Sequence, residues 1–264
     1  MLIFVTHNII SVTLYKNRGS DKICLKIKAD WRENMEQDIL MQMNHIVVRF
    51  PGVVALDDVS LKIRKGTVHA IVGENGAGKS TLMKVLIGDR IPDSGEILFE
   101  GKPIEKAGST GKHKDISMIY QELNPIKEMT IAENIFMGHF PQKMRGFVDM
   151  AKTNELCQKI FDEWELSYDP RQKMNTLSIA NIQMIEIIKA ISVNSKLIIM
   201  DEPTSAITPK EIEKLFVFIN ELRAKGISII YISHKLDEIY EIADYVTILR
   251  DGKKKKECSI KEIS

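Results

Sequence analysis

The chain has 264 residues, 44% hydrophobic and 28% charged, an ordinary globular balance that permits one large core or two modest ones. A formal net charge of +1 gives no electrostatic basis for binding nucleic acid or an anionic membrane. No apolar run reaches the roughly eighteen residues of a membrane span, and the three cysteines, Cys24, Cys157 and Cys258, fall in no metal-ligand spacing, as expected of a reduced, cytoplasmic protein.

Residues 1 to about 40 are mixed in charge, weakly periodic and carry no motif. Residues 1–5 are apolar, but without a basic flank or a small-residue cleavage site they make a poor signal peptide. Three readings of this N-terminal extension stay open: a short ordered cap, a disordered tail, or sequence upstream of a true start at Met41 or Met43.

From Asn44 the pattern sharpens. Residues 45–50 alternate loosely as a strand before a Pro51-Gly52 turn, and residues 59–63 alternate cleanly before Lys65-Gly66. Residues 68–72 read as a buried strand that feeds Gly73-Glu74-Asn75-Gly76-Ala77-Gly78-Lys79-Ser80, a phosphate-binding loop pattern, with a helix expected over 80–86. Glycines let consecutive backbone N–H groups turn inward around phosphate oxygens. Lys79 adds a cation for the terminal phosphates, Ser80 a hydroxyl suited to Mg²⁺, and the helix the positive end of its dipole.

Residues 96–99 and 102–104 flank Glu100-Gly101 as a hairpin, so an antiparallel sheet is expected beside a parallel one. Phe50, taken by itself, reads as a core residue. Residues 106–115 read as a surface loop and 116–120 as a strand ending at Gln121, whose amide is compatible with a metal or water contact. Residues 123–195 turn helical, with apolar spacing of three and four over 131–137 and 155–165, and a strong amphipathic helix over 179–191 behind Ser178 in an N-cap place.

Residues 196–202 carry an uninterrupted apolar run, 197–200, that ends in Asp201 and Glu202, the pattern of a central parallel strand with its acids at the ligand-binding end of the sheet. There Asp201 can hold Mg²⁺ through water while Glu202 orients an attacking water. A charged helix over 210–225 leads to a buried strand over 227–233 with His234 at its end. Residues 246–252 close on an Asp-Gly hairpin signal, and the lysines at 253–256 read as a solvated edge.

Together these stretches resemble the nucleotide-binding domain of ABC transporters over roughly residues 43 to 260. Gly73 to Ser80 matches the phosphate loop, Gln121 the Q-loop, Leu177-Ser178-Ile179-Ala180-Asn181 the signature, Asp201 and Glu202 the Walker B pair, Ser205-Ala206-Ile207-Thr208 the D-loop, and His234 the switch histidine. Phe50-Pro51-Gly52-Val53, Tyr120-Gln121-Glu122-Leu123-Asn124 and Tyr231-Ile232-Ser233-His234-Lys235 are similar to the sugar importers of the ribose, galactose and xylose type.

The resemblance implies an α/β P-loop NTPase fold of the ABC type: a mixed sheet core, an antiparallel β subdomain, and a helical subdomain over about 123–195 within a domain spanning 41–264. It implies ATP contacts from Phe50, now as an adenine-stacking aromatic, and from Gly73, Glu74, Asn75, Gly76, Ala77, Gly78, Lys79, Ser80 and Thr81. It further implies Mg²⁺ held by Ser80, Gln121 and Asp201, catalysis by Glu202 and His234, and contact of Ser178, Ile179, Ala180 and Asn181 with the ATP of a second nucleotide-binding domain. The expected partners are that second domain, from a second copy of this chain or a separate chain, transmembrane permease subunits and, indirectly, a periplasmic or lipid-anchored sugar-binding protein, with no nucleic acid. The expected place is the cytoplasmic face of the membrane, as a peripheral subunit.

Two departures stand out. Ile179, Ala180 and Asn181 replace the usual two glycines and glutamine of the signature, and the sugar importers resemble two fused copies where this chain carries one phosphate loop. The resemblance implies ATP binding and hydrolysis that power import of a galactose- or ribose-type monosaccharide through a partner permease, and the competing expectation is a truncated half-transporter remnant that binds nucleotide with little or no turnover.

Overall fold

The computed structural model describes residues 38–104, 115–144 and 146–263. The chain divides into two units, Met1–Asp38 and Ile39–Ser264, and almost all the described residues belong to the second. The expectation for residues 1–40 therefore lies largely outside the described residues, as does the surface loop expected over 106–115, apart from Asp115.

A four-stranded antiparallel sheet has the order β2-β1-β4-β5, from β1 (Ile39–Phe50), β2 (Val53–Arg64), β4 (Ser94–Phe99) and β5 (Lys102–Pro103). The β1–β2 hairpin turns at Pro51-Gly52 and is longer at both ends than the alternation suggested. Ile39 already pairs with Arg64, and register shifts in β1 interrupt the period. Such bulges blur a strict two-residue pattern without ending the strand.

The second sheet has six strands in the order β12-β11-β3-β10-β9-β6. β3 (Val68–Val72), β6 (Ile116–Ile119), β9 (Leu197–Asp201), β10 (Ser228–Ile232) and β11 (Tyr245–Arg250) run parallel, and β12 (Lys253–Ser259) returns antiparallel as the edge. The expected mixed sheet beside an antiparallel one is thus present.

Parallel strands are buried on both faces, and here successive residues feed different cores. Ala70, Ile198, Met200, Ile229 and Tyr231 face a core completed by the helices, whereas Ile71, Leu197, Ile199, Ile230 and Ile232 face one shared with the antiparallel sheet. The second core also receives Leu82, Met83, Val85 and Leu86 from α1 (Lys79–Leu86), the helix after the phosphate loop.

The middle of the chain contains α2 (Ile131–Ile135), α3 (Met150–Glu163) and α4 (Ile179–Ser192). α2 opens on a capping box formed by Thr130 and Glu133. α3 starts earlier than periodicity alone suggested, because the Asp149 side chain accepts from Lys152 N and fixes the first turn. A small hairpin, β7 (Gln142–Met144) and β8 (Phe147–Val148), interrupts the helical stretch, and Met144 and Phe147 are exposed on it. α5 (Pro209–Ala224) and α6 (Leu236–Ile242) complete the described helices. Among the described residues no helix is long and apolar enough to cross a membrane.

Candidate functional site

The C-terminal ends of β3, β9 and β10 bring their following loops to one rim of the parallel sheet, where open α/β folds bind ligands. A cleft of about 440 Å³ opens there. Its lining includes Asn75, Gly76, Gly78, Lys79, Ser80 and Thr81 from the phosphate loop, with Gln121, Asp201 and Glu202 opposite.

The loop has the backbone its glycines were expected to allow. Gly76 and Gly78 have φ of 84° and 101°. A Cβ on Gly78 would lie 2.6 Å from the Ala55 carbonyl oxygen, and one on Gly73 would lie 2.5 Å from that of Leu249. Both positions are therefore closed to side chains. Gly78 is also the N-cap of α1 and offers no side-chain cap, so the first-turn N–H groups and the dipole end face the cleft. Lys79 Nζ donates to the carbonyl oxygens of Gly73 at 2.5 Å and Glu74 at 3.0 Å, curling back over its own loop. Gly73, Glu74 and Ala77 shape this turn rather than line the cleft.

The acids differ in setting. Asp201 ends β9 half-buried, and its carboxyl is held above the usual range by burial first and the neighbouring Glu202 second, with Lys79 opposing. Glu202 adopts φ of 46°, a left-handed conformation uncommon for a side-chain-bearing residue, and its N–H donates to Ile232 O at 2.9 Å. That twist turns its carboxylate between two partners. Gln121 Nε2 donates to Oε2 at 3.3 Å, and His234 Nδ1 lies 3.0 Å from Oε1.

Ser80, Gln121 and Asp201 offer a hydroxyl, an amide carbonyl and a carboxylate to the same cleft. These are hard oxygen donors of the kind Mg²⁺ takes while keeping most of its coordination for water and phosphate. Among the described residues no group of three or more His, Cys, Asp or Glu could hold a metal on its own.

His234 reaches Glu202 from outside the cleft lining, and Phe50 and the signature residues lie further apart from it. Phe50 does not line it, and at 40% exposure it is not a core residue either, which corrects that reading. It ends β1 at a turn, where its ring is covered on one face by the Arg90 guanidinium at 4.7 Å. Ser178 caps α4, its Oγ accepting from Asn181 N at 3.3 Å. Ile179 is 53% exposed and lines a neighbouring cleft of about 270 Å³ that shares Gln121. Asn181 Oδ1 accepts from Tyr168 Oη at 3.1 Å, and with Ser178 and Ala180 it borders a third cleft beside α5.

Residues not anticipated also line the phosphate cleft: Val53, Val54 and Ala55 of β2, and Asp251 and Gly252 of the β11–β12 turn. Gly252 N donates to Ala77 O at 3.2 Å, and Gly252 O accepts from Asp57 N at 2.8 Å. The turn thus buttresses the phosphate loop. Asp251-Gly252 carried a turn signal, but nothing local said what the turn would touch.

Comparison with known proteins agrees with this geometry. The family model described as ABC transporter matches residues 56–205. The chain is 54% identical over 223 residues to a "putative ribose/galactose/methyl galactoside import ATP-binding protein" of Geobacillus kaustophilus, covering 83% of this chain and 44% of that protein. It is 52% identical over 217 residues to the "galactose/methyl galactoside import ATP-binding protein MglA" of Clostridium perfringens, covering 81% and 42%. The chain therefore spans less than half the length of these relatives. Among solved structures it is similar to the ADP conformation of MJ1267, an ATP-binding cassette of an ABC transporter, with a TM-score of 0.72, 30% identity, and coverage of 85% of this chain and 94% of that one.

Proposed function

The chain belongs to the ABC transporter family, and from that premise we propose that it binds and hydrolyses ATP to power import of a monosaccharide of the galactose or ribose class through a partner permease. The observation that carries this reading is the Glu202 carboxylate, bracketed by Gln121 and His234 beside a lysine-bearing phosphate loop.

In this reading Lys79 and the N–H groups that begin α1 hold the phosphates, and Thr81 and Asn75 complete that wall. Phe50 presents its free face to adenine. Ser80, Gln121 and Asp201 hold Mg²⁺, which when bound neutralises charge on the phosphate oxygens. Glu202 orients a water for attack on the terminal phosphorus and takes up its proton as the bond to the bridging oxygen breaks, releasing ADP and phosphate. His234 steadies Glu202 and contacts the terminal phosphate. Positioning and fixed charge supply most of the acceleration in such a reaction.

Ser178, Ile179, Ala180 and Asn181 stand apart from the chain's own phosphate cleft, and the exposed start of α4 suits contact with ATP held by a second nucleotide-binding domain. Such a complex, with transmembrane subunits and an indirectly coupled sugar-binding protein, would lie at the cytoplasmic face of the membrane.

Steady-state ATP hydrolysis over a protein concentration series tests the reading, with Glu202→Gln as control. A rate per molecule that rises with concentration and vanishes in the variant is expected. Tight ATP binding with no turnover above the control, at any concentration, would overturn hydrolysis by paired copies of this chain, which would then need a separate second half or be a nucleotide-binding remnant.

A further inference from the structure

Behind the rim of the cleft, a single carboxylate gathers donors from two separate segments. Glu238 of α6 is 6% exposed. Its Oε2 accepts from Tyr231 Oη at 2.8 Å and Ser233 Oγ at 3.2 Å, both near the end of β10. Thr204 Oγ1 approaches Oε1 and Oε2 at 2.7 and 2.8 Å from the loop after β9. Lys235 Nζ pairs with Oε1 at 3.0 Å and also reaches Thr204 O and Oγ1 at 3.2 Å. Tyr231, Ser233 and Thr204 are all buried, at 0%, 2% and 3% exposure. The hydrogen bonds hold the Glu238 carboxyl below its usual range against the opposing effect of burial.

The placement of these partners matters more than their number. Thr204 follows Glu202 by two residues, and Ser233 and Lys235 flank His234. Glu238, Thr204 and Tyr231 themselves do not line the phosphate cleft. A buried ion cluster adds little net stability compared with apolar packing, so stability alone gives weak reason for this one. Strand pairing and the Glu202 N to Ile232 O bond bring the two loops side by side, and the cluster adds the side-chain tie between them through short charge-assisted bonds.

We infer that Glu238 is a positioning residue, tying the Glu202 loop to the His234 loop so that the two side chains stay in contact. This rests on the reading of Glu202 and His234 as the hydrolytic pair.

The full chain is compared with Thr204→Val, Thr204→Ser and Glu238→Gln, with Glu202→Gln alongside. Each is measured for kcat and KM for ATP, thermal unfolding, and amide hydrogen exchange at residues 202–205 and 233–235. Thr204→Val removes the hydroxyl at nearly constant shape and is expected to lower kcat about tenfold with KM within about twofold, a loss of positioning rather than binding. Thr204→Ser restores the hydroxyl and is expected to recover at least about half of the parent kcat. Exchange at both segments is expected to quicken in Thr204→Val and Glu238→Gln, the latter serving if the former does not fold.

Unchanged kcat in Thr204→Val and Glu238→Gln would overturn the inference, as would a serine variant no better than valine. If Glu202→Gln hydrolyses ATP as fast as the parent, the hydrolytic reading fails instead. Hydrogen exchange still decides the tie in that case, because unchanged protection at 202–205 and 233–235 overturns it without reference to turnover.

Discussion

His234 Nδ1 lies 3.0 Å from Glu202 Oε1, although 32 residues separate them in sequence. The contact exists because β9 and β10 are parallel neighbours in register, Ile232 beside Asp201, so that the residues leaving both strands emerge at one height. Glu202 is the less exposed of the two, its side chain 19% accessible against 65% for His234, so the acid is fixed and the histidine faces outward.

Glu202→Gln keeps the shape and one hydrogen-bond acceptor but removes the carboxylate proposed as the base. Turnover of ATP is expected to fall by at least about 100-fold, the usual cost of losing a positioned general base. Affinity for ATP, read by a fluorescent analogue, is expected to stay within about threefold, because the phosphate-holding groups are untouched.

Phe50→Ala separates a binding aromatic from a packing one. The ring is half-exposed, so the loss of folding stability is expected to stay below about 1 kcal/mol, mostly the lost contact with Arg90. Nucleotide affinity is expected to weaken about tenfold, in line with about 1–3 kcal/mol for stacking a base on an aromatic ring. Thermal unfolding and a nucleotide titration check the two halves.

Gly78→Ala places a methyl 2.6 Å from the Ala55 carbonyl oxygen and imposes a left-handed φ on a side-chain-bearing residue. Urea unfolding is expected to show a loss of about 1–3 kcal/mol. Retained ATP affinity in the folded fraction would show that the phosphate loop tolerates a shift away from β2, contrary to the close packing described above.

His69 sets a pH dependence. It is buried, bonded through Nε2 to Thr247 at 2.8 Å, and its pKa is pushed down to about 3 by burial first, then Arg64 and Lys254. The unfolded chain takes up a proton there below its ordinary value of 6.5, whereas the folded chain does so only near 3. Between those limits falling pH favours unfolding, by up to about 1.4 kcal/mol per pH unit. His69→Gln retains a hydrogen-bonding side chain without titrating, so the stability difference between pH 6 and pH 5 is expected to shrink by about that amount. Urea unfolding at both pH values measures it.

Much of the site was legible because its residues stand at places that local pattern defines. An apolar run names a buried parallel strand, and whatever follows it, here Asp201-Glu202 or His234, stands at the sheet's rim. The phosphate loop was readable for the same reason, with glycines where the backbone must turn. What stayed hidden depends on distant approach. Phe50 resembles a core residue until the β1–β2 turn carries it outward, and Asp251-Gly252 reads as any tight turn until β11 pairs with β3. The β7–β8 hairpin has strands of two or three residues, too short for alternation to register. The Glu238 cluster joins three segments, each unremarkable alone.

The support that Gly252 gives Ala77 also orders events during synthesis. The phosphate loop is made well before Leu249 and Gly252, which close against it. A nascent chain stalled before residue 249 therefore carries every residue of the phosphate-binding motif without the neighbours that brace it. A nucleotide held by this loop would find it braced only once residue 252 has cleared the ribosome.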